Sequence, residues 1–79
     1  MEAITVRRSH PETGRVWTFH LEILSRKNTE DGAAIVWQGE SVSDGLQVHL
    51  RQRETLLKDR DAGLPLEALA EVLVDGELG

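Results

Sequence analysis

Residues 43–65, SDGLQVHLRQRETLLKDRDAGLP, decide how many strands and helices the chain contains. The segment LQVHL alternates apolar and polar residues, which is typical of a strand with one buried face. On a helix, with 100° between successive residues, four of the apolar side chains in this stretch fall within an arc of about 120°. These four are Leu46, Leu50, Leu56 and Leu57, and Val48 lies outside the arc. The periodicity alone therefore permits either structure.

The two ends of this stretch favour the helix. Ser43 is suited to the N-cap position, where its hydroxyl can accept a hydrogen bond from a free backbone N–H. Gly63 is suited to the left-handed residue that commonly follows a helix, and Pro65 cannot continue one. We therefore predict a helix over residues 44–62 and a positive φ at Gly63.

A second helix is predicted directly after the first. Pro65 is favourable at a first helical position because its missing N–H would be unpaired there in any case. The stretch LPLEALAEVLV, residues 64–74, should be helical to about Val74, and Asp75 with Gly76 should end the helix.

Three strands are predicted before these helices, over residues 3–8 (AITVRR), 16–24 (VWTFHLEIL) and 33–39 (AAIVWQG). Each is rich in β-branched or aromatic residues. The polar runs 9–15 and 25–32 are interpreted as the loops between them, because each contains a glycine and turn-forming residues. The strands should form an antiparallel meander.

The core-facing positions follow from the alternation of the strands. Ile4 and Val6 should share a face with the odd-numbered apolar residues of the second strand, which are Trp17, Phe19, Leu21 and Ile23. Ile35 and Trp37 should face the core from the third strand. Thr5, Arg7, Thr18, His20 and Glu22 should then lie together on the other face.

These elements predict a single α+β domain over residues 1–79. Its architecture is a three-stranded antiparallel β-meander followed by two helices packed on one face, β-β-β-α-α. The alternative is a four-stranded meander with one C-terminal helix, in which residues 46–53 are strand. Single-sequence patterns leave both architectures open.

Composition restricts the classes of function. Hydrophobic residues make up 39% of the 79 residues, which is typical of a folded protein, and there is no cysteine for a disulfide or a thiolate metal site. The N-terminal residues lack the apolar stretch of a signal peptide, and no segment approaches the length of a membrane span. We therefore expect a cytoplasmic protein that does not contact a membrane.

The predicted pair of helices could be a helix–turn–helix that recognises DNA, but its charge argues against that function. The net charge is −5, and from Asp61 onward there are five acidic residues and no basic one. A recognition helix needs basic or amide side chains for bases and phosphates. The pair is better interpreted as a helical hairpin that builds the fold.

No catalytic or metal-binding motif is present in the sequence. His20 and Glu22 would lie two residues apart on one strand face, a spacing that permits joint coordination of a metal, but no third ligand is evident. Nucleophile elbows and phosphate-binding glycine loops are absent. We expect a non-enzymatic protein without a cofactor, a metal or a small-molecule substrate.

The basic residues of the first half could form a binding face. They are Arg7, Arg8, Arg15, Arg26 and Lys27. A sheet surface that binds RNA usually also exposes aromatic side chains for base stacking, and here the aromatic residues are predicted to face the core. A weak nucleic-acid-binding domain that uses this basic hairpin is therefore the alternative function.

The last helix suggests a protein interface. Its apolar side chains cover an arc of roughly 200°, which is wider than the stripe of an ordinary surface helix. A short chain has little surface with which to cover so wide an arc. We therefore predict a small, non-catalytic interaction or regulatory module that forms a homodimer or binds a partner protein. The predicted interface is Leu66, Leu69, Val72 and Leu73.

Overall fold

The computed structural model describes residues 1–79 and contains four strands and two helices. These elements are β1 (Glu2–Ser9), β2 (Val16–Thr29), β3 (Gly32–Ser43), β4 (Leu46–Lys58), α1 (Asp59–Ala62) and α2 (Leu66–Leu78). Neighbouring strands are antiparallel, and their order in the sheet is their order in the chain. The α+β class is confirmed, and the four-stranded alternative fits the number of strands.

The pairing of β1 with β2 confirms the predicted shared face. Ile4 lies opposite Leu21, and Val6 lies opposite Phe19. The loop between the strands is closed by the His10 N–H, which donates to the Arg15 carbonyl at 2.8 Å. This hairpin therefore has the predicted alternation, in which even positions of β1 share a face with odd positions of β2.

The prediction of a loop over residues 25–32 is wrong. β2 continues to Thr29, which pairs with Gly32, so only two residues form the turn. Polar side chains are compatible with a strand here because the backbone makes the ladder hydrogen bonds and one face of an antiparallel sheet can lie in water. A side chain at Gly32 is excluded, since its Cβ would come within 1.9 Å of the Leu57 carbonyl oxygen.

The predicted helix over residues 44–62 is also wrong, because most of this stretch is β4. Ser43 pairs with Leu46, and the two residues between them, Asp44 and Gly45, have φ of 47° and 81°. Positive φ at both central residues is the signature of a tight hairpin turn, for which Asp-Gly is a preferred sequence. Ser43 is therefore the last residue of β3 and not a helix cap. Only the four residues of α1 are helical.

A β-bulge in β4 explains why its strand pattern is hard to detect. Gly39 lies opposite Leu50, whereas Trp37 lies opposite Arg53, so β4 contains one extra residue between these pairs. The extra residue changes which positions face the core, and Leu50 and Leu57 are both buried although their spacing is odd. A helix would place Leu56 on the same face as Leu50 and Leu57, but in the structure Leu56 is 72% exposed.

The predicted boundaries of the second helix also change. Gly63 has φ −93°, so the predicted left-handed conformation is wrong. Pro65 is the N-cap of α2, and the helix continues through Gly76 to Leu78 beyond the predicted end at Val74. Asp75 and Gly76 are compatible with this because both are exposed in the helix.

α2 packs on one face of the sheet and completes one hydrophobic core. Trp37 is 2% exposed, its indole N–H donates to Thr55 Oγ1 at 2.8 Å, and the Arg53 guanidinium lies 5.1 Å from the centre of its ring. The predicted core positions of the strands are confirmed for Phe19, Leu21, Ile23, Ile35 and Trp37, all of which are buried. The buried residues of α2 are Leu69, Ala70, Leu73 and Val74.

The close approach of β2 and β3 predicts opposite effects for two glycine substitutions. A Cβ at Gly39 would lie 2.2 Å from the His20 carbonyl oxygen, so Gly39→Ala should destabilise the protein by about 3 kcal/mol. Gly76 lies within α2 with nothing near its missing Cβ, so Gly76→Ala should stabilise by about 1 kcal/mol. Urea unfolding followed by tryptophan fluorescence measures both. Equal effects would contradict the strand pairing at Gly39.

Candidate functional site

The face of the sheet opposite α2, which we call the open face, is not covered by any other element. It contains a depression of about 660 Å³ over β1, β2, β3 and β4. The polar side chains that line it are Thr5, His20, Glu22, Gln38, Glu40 and His49. Neither lysine nor arginine lines the depression, so its titratable groups are two carboxylates and two imidazoles.

Four of these side chains form one row across the sheet. Thr5 is paired with His20, His20 with Glu40, and Glu40 with His49, so the row contains one residue from each strand. Within the row, Thr5 Oγ1 and His20 Nδ1 are 3.1 Å apart. The two bulges, in β2 after Ile23 and in β4 after Leu50, leave this row in regular register.

The carboxylates of the depression accept hydrogen bonds only from amides. Gln38 Nε2 donates to Glu22 Oε1 at 3.4 Å, and Gln47 Nε2 donates to Glu40 Oε2. Neither Glu22 nor Glu40 takes part in an ion pair. Both are half-buried. The depression therefore presents two negative charges and their free lone pairs to a ligand.

The order hydroxyl, imidazole, carboxylate in the row resembles a catalytic triad, but the hydrogen bonds do not. Glu40 bonds to Gln47 and not to His20, so no carboxylate orients the His20 imidazole. The chain also contains no group of three or more His, Asp or Glu side chains placed to hold a metal ion. The geometry is that of a hydrogen-bonding surface that favours cationic donors.

Sequence reasoning identified part of this site. It placed Thr5, His20 and Glu22 on one face, and the structure confirms that placement. Glu40 and His49 were not placed on this face, because residues 40–49 were not assigned to strands. The sequence feature that indicates their placement is the Asp44–Gly45 dipeptide, which is typical of a two-residue hairpin turn. Such a turn pairs Glu40 with His49.

The predicted partner interface on α2 is largely used within the monomer. Leu69 is 0% exposed and Leu73 is 3% exposed, and both belong to the core. Leu66 and Val72 pack against the core and are half-buried. The exposed charged residues of α2 are all acidic, and they are Glu67, Glu71, Asp75 and Glu77.

The structure does not bring the five predicted basic residues together. Arg8 lies on the α2 side of the sheet, 3.5 Å from Glu71 and 3.2 Å from Asp75. Arg15 donates to Ser43 Oγ at 2.8 Å and lies over the ring of Trp17. These two guanidinium groups therefore hold elements of the fold together.

The other three basic residues also lie apart. Arg26 donates to the Ala62 and Leu64 carbonyls, so it holds the segment between α1 and α2. Arg7 and Lys27 are on the open face, at the levels of Thr18 and Ala34 in the sheet. Thr18, which lies opposite Arg7, and Lys27 are nine residues apart along β2, a distance of about 30 Å. A continuous basic patch is therefore absent.

The sheet and C-terminal helix define an α+β protein of the meander type, and similarity to known proteins adds no further information. Neither a protein family, a curated protein nor a solved structure matches the chain. No helix is both long and apolar enough to cross a bilayer.

The different contacts of Arg26 and Lys27 predict that replacing them has different effects on stability. Arg26→Ala should destabilise the protein by about 1 kcal/mol, because the carbonyls of Ala62 and Leu64 lose their donor. Lys27→Ala removes the same charge from an exposed side chain without a hydrogen bond and should change stability by less than about 0.5 kcal/mol. Urea unfolding of both variants measures the difference. Equal costs would show that Arg26 does not hold the segment.

Proposed function

We propose that the chain is a small, non-catalytic protein-interaction module that binds a basic segment of a partner protein at the open face. The observation that carries this proposal is the depression of about 660 Å³, which contains two carboxylates without a cationic partner. Lysine and arginine side chains are donors only and match carboxylate acceptors. A partner that supplies them would complete the charge balance of the site.

Because most of the apolar surface of α2 is buried, the open face is a better candidate for the binding surface than the helix is. Self-association through Leu66, Leu69, Val72 and Leu73 stays a prediction, and only Leu66 and Val72 keep exposed area for it. Two copies of α2 would also bring their acidic residues close together, which is repulsive. The open face needs no rearrangement of the core to receive a partner.

Charge also distinguishes a basic peptide from a nucleic acid as the ligand. Phosphates would be repelled by Glu22 and Glu40. Three cations of the hairpin, Arg8, Arg15 and Arg26, are held in other contacts, and Lys27 is distant. Arg7, two residues along β1 from Thr5, is the single cation beside the depression. Affinity for nucleic acid depends mainly on neutralised phosphates. A single-stranded oligonucleotide should therefore bind much more weakly than a basic peptide of the same length.

The proposal predicts that a basic peptide binds through Glu22 and Glu40. The probe is acetyl-TKKTKKT-amide, titrated into the protein at low ionic strength and followed by NMR of the His20 and His49 imidazoles, which lie beside the two carboxylates. The double variant Glu22→Gln/Glu40→Gln keeps the side-chain shapes and should weaken binding by about tenfold. Added salt should weaken wild-type binding, because exposed charges are screened.

The matched control is Glu12→Gln/Glu30→Gln, which changes the net charge equally at two exposed turn residues. This variant should bind the peptide nearly as well as the wild type. Equal loss in both double variants would mean that the peptide responds to net charge and not to the depression. No shift of the imidazole signals with the peptide, or tighter binding of an oligonucleotide, would overturn the proposal.

A further inference from the structure

The sheet has two edge strands, β1 and β4, because each pairs with only one neighbour. An edge strand leaves a row of backbone N–H and C=O groups without a partner in the sheet. An extended peptide can add to such a row as a further strand, and its side chains then alternate between the two faces. The charges around the two edges differ, and this difference indicates which edge suits a basic peptide.

Carboxylates lie on both sides of the β1 edge. On the helix side, a groove of about 240 Å³ runs between Ile4–Arg7 of β1 and Glu67 and Glu71 of α2. Glu67 has no ion-pair partner, and Glu71 shares Arg8 with Asp75. β1 is also the strand that the α2 backbone approaches most closely. Arg7 also lines this groove, so with Arg8 two guanidinium groups face the three carboxylates Glu67, Glu71 and Asp75. The groove therefore keeps a net negative charge for a cationic side chain.

On the open face, the small side chain of Ala3 leaves a path from the β1 edge to the depression. Ala3 lies opposite Glu22 in the pairing of β1 with β2, and both residues line the depression. An added strand would lie about 10 Å from β2, two strand spacings away. A long cationic side chain on that strand can extend over the methyl group of Ala3 and reach the Glu22 carboxylate.

The β4 edge is more basic than the β1 edge. Around β1 the two cations Arg7 and Arg8 are outnumbered by five carboxylates, which are Glu2, Glu22, Glu67, Glu71 and Asp75. β4 carries Arg51, Arg53 and Lys58 against one acidic residue, Glu54. The cations Arg51 and Lys58 are exposed, and Glu77 is the only carboxylate that pairs with a cation of this strand. A basic peptide would be repelled along β4, so the charges favour β1.

We propose that the basic segment of the partner adds to the β1 edge as a fifth strand. One of two adjacent basic residues reaches Glu22 over Ala3, and the other enters the groove beside Glu67 and Glu71. The basic residues lie against the first half of β1, because Arg7 in the second half would repel them. This inference rests on the proposed function, and it adds the strand edge, the extended conformation of the partner and the second acidic surface.

Strand addition is tested with acetyl-TKKTKKT-amide and the same peptide methylated on the backbone nitrogens of its five central residues. Methylation keeps every charge but removes the N–H donors that a fifth strand needs. The unmodified peptide should slow hydrogen exchange of the outward-facing β1 amides by about tenfold and leave β4 unchanged. The methylated peptide should bind about tenfold more weakly and give no protection.

Two substitutions separate the two sides of the β1 edge. Glu67→Gln removes the carboxylate that has no ion-pair partner in the groove and should weaken peptide binding by about threefold, whereas Glu30→Gln removes a distant exposed charge and should have little effect. Ala3→Phe blocks the path over β1 while Glu22 stays in place, and it should weaken binding by a similar factor. The unfolding midpoints of all variants establish that they are folded.

The possible outcomes distinguish this inference from the proposed function. Equal binding of the methylated and unmodified peptides, with loss in Glu22→Gln/Glu40→Gln, overturns strand addition and leaves the proposed function standing. Exchange protection at β4 in place of β1 also overturns it. If neither peptide binds, both proposals fail. Loss on methylation together with protection confined to β1 supports the fifth strand.

Discussion

Pairing between β3 and β4 is the contact on which the rest of the structure depends. The chain reverses direction in two residues at Asp44 and Gly45, so β4 lies along the whole of β3. This pairing makes β3 an interior strand and brings Thr55 to the indole N–H of Trp37. It also brings Leu50 and Leu57 into the core and His49 to the row on the open face. The core and the candidate site therefore both require this pairing.

The packing of α2 determines which face of the sheet stays accessible. Small domains bury a limited part of their surface on folding, so one well-packed helix is needed to cover the apolar side of the sheet. α2 fills this role, and its broad apolar surface, including Leu69 and Leu73, is buried in the monomer. None of the elements of this fold lies on the other side of the sheet. The open face is consequently the polar surface that the fold leaves accessible, and its centre is a depression.

Four of the nine basic side chains, those of Arg8, Arg15, Arg26 and Arg53, hold elements of the chain together. Arg8 and Arg53 pair with acidic residues of α2. Arg26 donates to the carbonyls of Ala62 and Leu64, which precede α2 in the chain. Glu22, Glu40 and Glu67 have no such partners. The N-terminal hairpin is therefore basic in sequence, but the surface around β1 carries uncompensated acidic groups. This surface suits a cationic ligand better than a phosphate.

The sequence by itself determined the alternation of β1 and β2, the core positions Ile35 and Trp37, and the existence of α2. These features depend on local periodicity, which one segment displays without its neighbours. Only the tertiary structure decided the state of residues 44–58, because the bulge after Leu50 disrupts the period of two and leaves a leucine spacing that also fits a helix. The row from Thr5 to His49 was likewise undetermined, since it depends on the register of all four strands. The role of each arginine also depended on the tertiary structure, because an arginine side chain finds its carboxylate or carbonyl partner only when distant segments are packed together.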